Sequence, residues 1–356
     1  MNFKAIQLKN LLDLAFHITS SETNSNHSAS VPPYFRFSSA YAELEFNLDV
    51  EIKIVTDDTR DLPKNAQNTL FVFDARIMPN KAEDLCNIAH KNGAYVVTNI
   101  KLDYGIYCEE PNKIIAAWAR YQFSKYPRII TAVTGTNGKT SVAWFTTQLM
   151  QKLGYKTASI GTLGVYIDGI KIQETGYTSP TSLKLHEILQ TLAEKNVDFV
   201  CLEASSHALA LNRLDGVRFN AAGFTNLSQD HLDFHGDMDR YLLAKSRLFL
   251  DLLAEDGTAV LPMQNKMMWP LASACKQNEK SILSVGSAQS ELVVNSIKED
   301  ENGLNLHIKY NDINEKIHVN LLGNFQAENI AVSLGILVGI GVNLKDLIPY
   351  ISNLKS

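Results

Sequence analysis

The chain has 356 residues, 45% of them hydrophobic and 20% charged, with a formal net charge of −5. That length suits roughly two to three packed domains, and the acidic balance provides no broad cationic field for nucleic acid, so negative ligands must be met by local groups. Cys86, Cys108, Cys201 and Cys275 lie far apart with no CxxC pair, which argues against a zinc ribbon or a disulfide framework and fits a reducing cytoplasm. The opening MNFKAIQLKN has no continuous apolar run, and the longest late apolar stretch, 330–342, contains glycines; neither secretion nor a membrane span is expected.

An opening helical segment leads into SSETNSNHSAS (20–30), a run too poor in apolar groups to pack and read as a mobile loop. Strands at 70–73 and 95–98 flank a helix at 81–92 closed by Gly93. The stretch IIAAWARYQF is helical and stops near Pro127, and a domain boundary is placed near 108.

Residues 134–141 read TGTNGKTS between the apolar run RIITAV and a helical segment. Gly135 and Gly138 let the backbone turn its N–H groups inward, and the following helix adds its positive end, so an anion is the natural occupant. Lys139 reaches the β/γ-phosphates of a nucleotide in this pattern, and the Thr140 hydroxyl suits the accompanying Mg²⁺. The general pattern has four residues between its glycines; here two separate Gly135 from Gly138.

Beyond the loop, strands and helices alternate: strand 129–134, helix 139–153, strand 157–160, helix 181–195, strands 198–203 and 220–225, helix 237–253. A β pattern at 292–321 turns at Asn302-Gly303, and a final helix covers 325–339. The expected fold class is α/β, with a small N-terminal α/β domain (1–108) before a doubly wound, mainly parallel, P-loop ATPase-type central domain (109–356). Ligands then gather at the strands' carboxyl edge. Glu203 ends one strand there, His231 follows another, and Lys245 lies on the next helix. A carboxylate and an imidazole suit a divalent ion bridging phosphate and substrate, whereas a lysine ammonium cannot ligate one. The Arg213 guanidinium suits an anionic substrate or a surface ion pair.

In order, TGTNGKTS, SIGTLG (159–164), TSPTSLKL (178–185), EASSHAL (203–209), TNLSQDHLDFHG (225–236), AKSRLF (244–249) and LLGNFQAEN (321–329) resemble the Mur ligase family over about 55–356. Within it, TLG and QDHLDFHG look most like the members that add the third peptide residue. The resemblance implies an ATP-dependent peptide ligase: the terminal carboxylate of UDP-MurNAc-L-Ala-D-Glu is phosphorylated, and an amino acid's amine attacks the acyl phosphate. It implies that Gly135, Thr136, Asn137, Gly138, Lys139, Thr140 and Ser141 hold the ATP phosphates, with Asn324 and Asn329 near the adenine. Glu203 and His231, with Thr140, would ligate Mg²⁺. Lys245 matches a carbamylated lysine, a modification that turns the cation into an anionic ligand. Thr178, Ser179, Ser205 and Arg213 match positions that grip the muramyl-dipeptide; Leu211 stands where some members carry a glutamine.

In TDDTR (56–60), Thr59 takes the place of a serine in the uridine-site segment, and DARIMPNKAEDL (74–85) lacks the family's glycine and aspartate pattern. The chain ends at LKDLIPYISNLKS, where the resemblance implies a further C-terminal domain carrying the amino-acid site. Weak or no ligase activity is therefore expected of the chain alone, with a partner chain as one possible source of that domain. Two other readings stand beside the ligase: a catalytically silent ATP-binding subunit, and a ligase like folylpolyglutamate synthetase.

Overall fold

The computed structural model describes residues 4–16, 35–37, 50–286 and 288–356. The loop expected at 20–30 lies outside them. Two compact units result. The first gathers the described residues up to Ser124 with Ser182–Glu187 and Leu211–Gly216; the second comprises Lys125–Thr181, Ile188–Ala210 and Val217–Ser356.

In the first unit the elements run β1 (Ile6–Gln7), α1 (Leu8–Phe16), β2 (Phe35–Phe37), β3 (Glu51–Ile52), β4 (Ile54–Thr56), β5 (Thr69–Phe73), α2 (Ala82–Lys91), β6 (Tyr95–Thr98), β7 (Ile106–Cys108) and α3 (Asn112–Gln122). A sheet of order β2-β7-β6-β5-β4 is parallel except where β2 joins β7. Strand β5 is buried throughout because both faces are covered. Leu70 and Val72 pack with Leu8, Leu11, Ile114 and Trp118, while Phe71 and Phe73 pack with Ala82, Cys86 and Ala89. Helix α2 ends as its sequence predicts, with Gly93 at φ 89°. Helix α3 falls in the first compact unit, which runs to Ser124: its Ile114, Ile115 and Trp118 bury their apolar face in that unit's core.

The second unit continues with β8 (Ile129–Thr134), α4 (Lys139–Lys152), β9 (Thr157–Gly161), β10 (Gly164–Ile167), β11 (Ile170–Gln173), α5 (Ser182–Glu194, of which Ser182–Glu187 belong to the first unit), β12 (Phe199–Glu203), α6 (Ser206–Ala210) and β13 (Phe219–Phe224). There follow α7 (Leu232–His235), α8 (Met238–Leu250), β14 (Leu253–Leu261), α9 (Trp269–Gln277), β15 (Ser281–Gly286), β16 (Leu292–Asp300), β17 (Gly303–Tyr310), β18 (Ile313–Val319), α10 (Phe325–Gly339) and α11 (Leu344–Ile351). The sheet order is β11-β10-β9-β12-β8-β13-β14-β15-β16-β17-β18. From β9 to β16 the neighbours are parallel; the hairpins at both ends are antiparallel. Strand β8 sits between β12 and β13, where successive crossovers leave in opposite directions, and that is the ligand-binding switch point of such sheets.

Three expectations change. Helix α8 stops at Leu250 rather than 253, and Leu253 already opens β14. The β pattern at 292–321 contains two turns and three strands, and α11 follows the helix expected to be last. The β10–β11 hairpin went unread although Asp168-Gly169, at φ 49° and 82°, is a type of turn that dipeptide marks.

Helix α10 lies against the sheet and α4 in one core that includes Val142, Phe145, Val260, Ile330, Leu334 and Ile336. Close approach depends on glycine: a Cβ on Gly223 of β13 would sit 2.6 Å from Val332 Cγ1 and 2.8 Å from Ile336 Cδ1. Among the described residues no helix is long and apolar enough to cross a membrane. Gly223→Ala is expected to destabilise the chain by ~1–3 kcal/mol through overpacking, seen as a lower urea midpoint with an unchanged slope.

Candidate functional site

The carboxyl ends of β12, β8 and β13 lie side by side. Ala204 N–H donates to Val133 O at 2.8 Å, Thr134 Oγ1 to Ala204 O at 2.8 Å, and Thr225 N–H to Thr134 O at 2.9 Å. The 135–138 loop leaves this edge and enters α4. Asn226 holds it: its carbonyl accepts from Thr136 N–H at 2.8 Å, and its Oδ1 accepts from Asn137 N–H at 3.0 Å. Thr225 Oγ1 donates to Asn137 O at 2.6 Å, and Thr136 Oγ1 donates to Ser228 O at 3.1 Å.

Both loop glycines are required. Gly135 (φ 143°) and Gly138 (φ 85°) have left-side backbone angles, and a Cβ would fall 1.9 Å from Thr225 Oγ1 and 2.2 Å from Asn329 Oδ1 respectively. Gly138 precedes Lys139, Thr140 and Ser141 at the start of α4, where no side chain caps the helix. Those amides point their partial positive charge out of the helix end, as anion recognition demands.

Two lysines converge on one oxygen. Lys139 Nζ donates to Gly135 O at 2.9 Å and Thr136 O at 2.8 Å, and Lys245 Nζ donates to the same Gly135 O at 2.9 Å. Lys245 is 1% exposed, with its ammonium 4.4 Å from the centre of the Tyr241 ring. Burial first, then the charge of Lys139, brings its pKa down to about 7; burial also lowers that of Lys139.

Glu203, 3% exposed at the end of β12, accepts from Thr140 Oγ1 at 2.9 Å, Thr162 N–H at 3.1 Å and Thr162 Oγ1 at 3.2 Å. Burial pushes its carboxyl above the usual range, against these hydrogen bonds and the charge of Lys139. Thr178, Ser179 and Ser205 lie around it: Thr178 Oγ1 is 3.1 Å from Thr162 Oγ1, Ser179 Oγ donates to Glu203 O at 2.8 Å, and Ser205 N–H donates to Ser179 Oγ at 3.0 Å. A carboxylate and hydroxyl set of hard oxygens, already facing the lysine-lined loop, fits Mg²⁺.

His231 has a left-handed backbone (φ 52°) and packs edge-on to His207 at 4.8 Å, with Asp230 Oδ2 at 3.4 Å from its Nε2. Tyr241 lies 6.5 Å from its ring and also contacts Lys245 and Thr136. Among the described residues no three His, Cys, Asp or Glu side chains form a metal-holding group. Asn329 Nδ2 donates to Gln326 Oε1 at 2.9 Å; Asn324, exposed, begins α10. Thr59, Arg213 and the buried Leu211 belong to the first unit, the other named residues to the second.

The sequence did not single out Gly161, Thr162, Asn226 or Tyr241. Gly161 and Thr162 stood inside SIGTLG, and the signal was there: a glycine beside a threonine where a strand ends. A Cβ on Gly161 would lie 1.9 Å from Glu203 Oε1.

A glycine-bearing strand–loop–helix turn beside a buried strand-end carboxylate, on a mainly parallel sheet, places the chain among α/β proteins with an edge suited to an anionic ligand. Residues 133–337 match the Mur ligase middle domain, and the chain belongs to the Mur ligase family. It is similar to the UDP-N-acetylmuramoyl-L-alanyl-D-glutamate–2,6-diaminopimelate ligase of Mesorhizobium japonicum, 36% identical over 247 residues, 69% of this chain and 51% of that protein. It spans about half the length of such curated relatives. A solved structure of a ligase of that name shares the fold at TM-score 0.73 and 23% identity, covering 90% of this chain and 67% of that one. The Thermotoga maritima MurF ligase, solved with ADP, aligns at TM-score 0.54 and 18% identity over 85% of this chain and 66% of that one.

Gly161→Ala is expected to displace the Glu203 carboxylate from Thr162 and to weaken Mg²⁺-ATP binding about tenfold or more, measured by titration calorimetry, because the added methyl meets an oxygen that the buried strand end cannot move away.

Proposed function

We propose that the chain carries the nucleotide-binding and carboxylate-activating part of an ATP-dependent ligase that acts on UDP-MurNAc-L-Ala-D-Glu and an amino acid in peptidoglycan precursor synthesis. The observation that carries this reading is the juxtaposition of Lys139 and Lys245 on Gly135 O with Glu203 on Thr140 and Thr162. It joins a phosphate-binding loop to a cation-ready carboxylate, and the curated relatives named for this ligation support the substrate class.

In the proposed reaction a substrate carboxylate oxygen attacks the γ-phosphorus of ATP, and the bond to the β-bridging oxygen breaks to release ADP. The amino acid's amine then attacks the acyl carbon, phosphate leaves, and the amine loses a proton. Positioning and charge stabilisation dominate such steps. The α4 amides and Lys139 orient the β/γ-phosphates and offset the charge that develops as they separate. Thr140, Glu203 and His231, with Lys245 once carbamylated, would hold Mg²⁺, which supplies charge neutralisation between phosphate and substrate. Thr178, Ser179 and Ser205 offer hydroxyls, and Thr59 and Arg213 a further hydroxyl and a cation, for the muramyl-dipeptide. Asn324 and Asn329 are assigned to the adenine end.

The pKa of Lys245, near 7, bears on the modification. Carbamate forms from the neutral amine and carbon dioxide, so the amine must lose its proton first. Incubation with ¹³C-bicarbonate is expected to give a carbamate carbon signal that is absent well below pH 7, grows as pH rises through it, and disappears in Lys245→Ala. A signal unchanged by that substitution would remove Lys245 from the role.

Phosphate release by the purified chain with ATP and UDP-MurNAc-L-Ala-D-Glu, with and without meso-diaminopimelate or lysine, tests the function. Binding of both ATP and the muramyl-dipeptide is expected, with ATP affinity lost in Lys139→Ala. Amino-acid-dependent release with a tripeptide mass would establish the complete ligation. ATP binding without turnover would favour a silent nucleotide-binding subunit, and absence of any stabilisation by the muramyl-dipeptide would favour a folylpolyglutamate-type substrate.

A further inference from the structure

The turn that carries Arg213 is anchored far more firmly than a chain reversal needs. Ser182 Oγ donates to Arg213 O at 3.1 Å, and Asn212 O lies 3.5 Å from the same hydroxyl. His186, fully buried, meets Asp215 O through Nε2 at 3.0 Å, so that nitrogen carries the hydrogen. Burial pushes the imidazole down to a pKa of about 4, which keeps it neutral under ordinary conditions. The same ring covers Gly216, where a Cβ would come within 3.0 Å of Cε1.

Asn212 is the most constrained member. It is 1% exposed, has a left-handed backbone (φ 54°), and donates from Nδ2 to Glu110 Oε1 and Asp215 Oδ2, each at 3.3 Å. Two carboxylate acceptors fix which end of the amide is nitrogen. Its Oδ1 is then a buried acceptor with no hydrogen-bond partner. A non-glycine residue in the left-handed region and an unmet buried acceptor both cost stability. Glycine would remove both costs, as Gly216 does at φ 86° four residues on. What the asparagine adds is a bridge between Glu110 and Asp215, which locks the turn on either side of Arg213.

A guanidinium recognises a carboxylate through two parallel N–H groups, so its value depends on where its backbone is held. Ser182, His186, Asn212 and Arg213 all lie in the first unit, and the Arg213 charge is felt there by the buried carboxyl of Asp57. We propose that Ser182, His186 and Asn212 are positioning residues that fix Arg213 for the carboxylate of an acidic peptide substrate and so set its affinity without contacting it. The proposal rests on the reading of Arg213 as an anion contact.

Calorimetric titration of the full chain with UDP-MurNAc-L-Ala-D-Glu tests it, using the unaltered protein, Arg213→Ala, His186→Phe and the double variant, with ATP affinity and thermal melting followed in parallel. Each single variant is expected to bind the muramyl-dipeptide about tenfold or more weakly with ATP affinity unchanged. The double variant should bind no more weakly than Arg213→Ala, because both changes act through one guanidinium. Ser182→Ala, which removes only a hydroxyl, is taken through the same cycle and carries the test if His186→Phe fails to fold. A loss that multiplies in full with that of Arg213→Ala, or no loss in either positioning variant, overturns the inference and leaves the ligase reading standing. Unchanged binding by Arg213→Ala would overturn the anion-contact reading and the inference with it, and no binding by the unaltered chain would sink the substrate assignment.

Discussion

One backbone oxygen organises the carboxyl edge of the central sheet. Gly135 O accepts from both Lys139 and Lys245; burial and then the charge of Lys139 disfavour the charged form of Lys245, and burial disfavours that of Lys139. Nearby, the Glu203 carboxylate is buried enough to be pushed toward its neutral form, with hydroxyls and an amide as its hydrogen-bond donors. Charges of both signs are therefore gathered but not paired with one another by direct hydrogen bonds among these groups. Phosphate oxygens entering at the start of α4 would lower the energy of the lysines, and a divalent cation would do the same for Glu203. Ligand binding and folding stability are linked through this edge, since anything that binds only the folded site stabilises it.

Much of this was legible along the chain because the signals are local. The apolar run before TGTNGKTS forms β8, the turn glycines fall where the backbone needs them, and Glu203 closes β12. The misreadings have local causes as well. In LFLDLLA (248–254) apolar residues flank the single Asp251 on both sides, so the period cannot separate the end of α8 from the start of β14. The apolar face of the helix at 112–122 says that it packs, but not on what; Ile114, Ile115 and Trp118 join the core of the first unit. Asn226 and Gly161 were unreadable as site residues for a different reason: their partners stand about 90 and 42 positions away. The Arg213 turn shows the same limit, since Ser182 and His186 reach it across about 30 residues of sequence.

Long-range contacts also bear on the short spacing between the glycines of the 135–138 loop. A loop with four residues between its glycines can shape itself with its own amides, whereas here two residues intervene and both give their N–H groups to Asn226. The wall of the cradle is thus supplied by the segment after β13, with Thr225 and Asn329 filling the space that a Cβ at Gly135 or Gly138 would need. Borrowing rigidity in this way keeps the amides at the start of α4 out of internal side-chain caps and directed at a ligand. It also ties the loop to the chain segment that bears His231, so a shift in 225–231 reaches the phosphate cradle and the proposed cation site together. If phosphate and cation bind at this edge as proposed, a short loop braced from a neighbouring strand would couple the two more directly than a longer loop that stands alone.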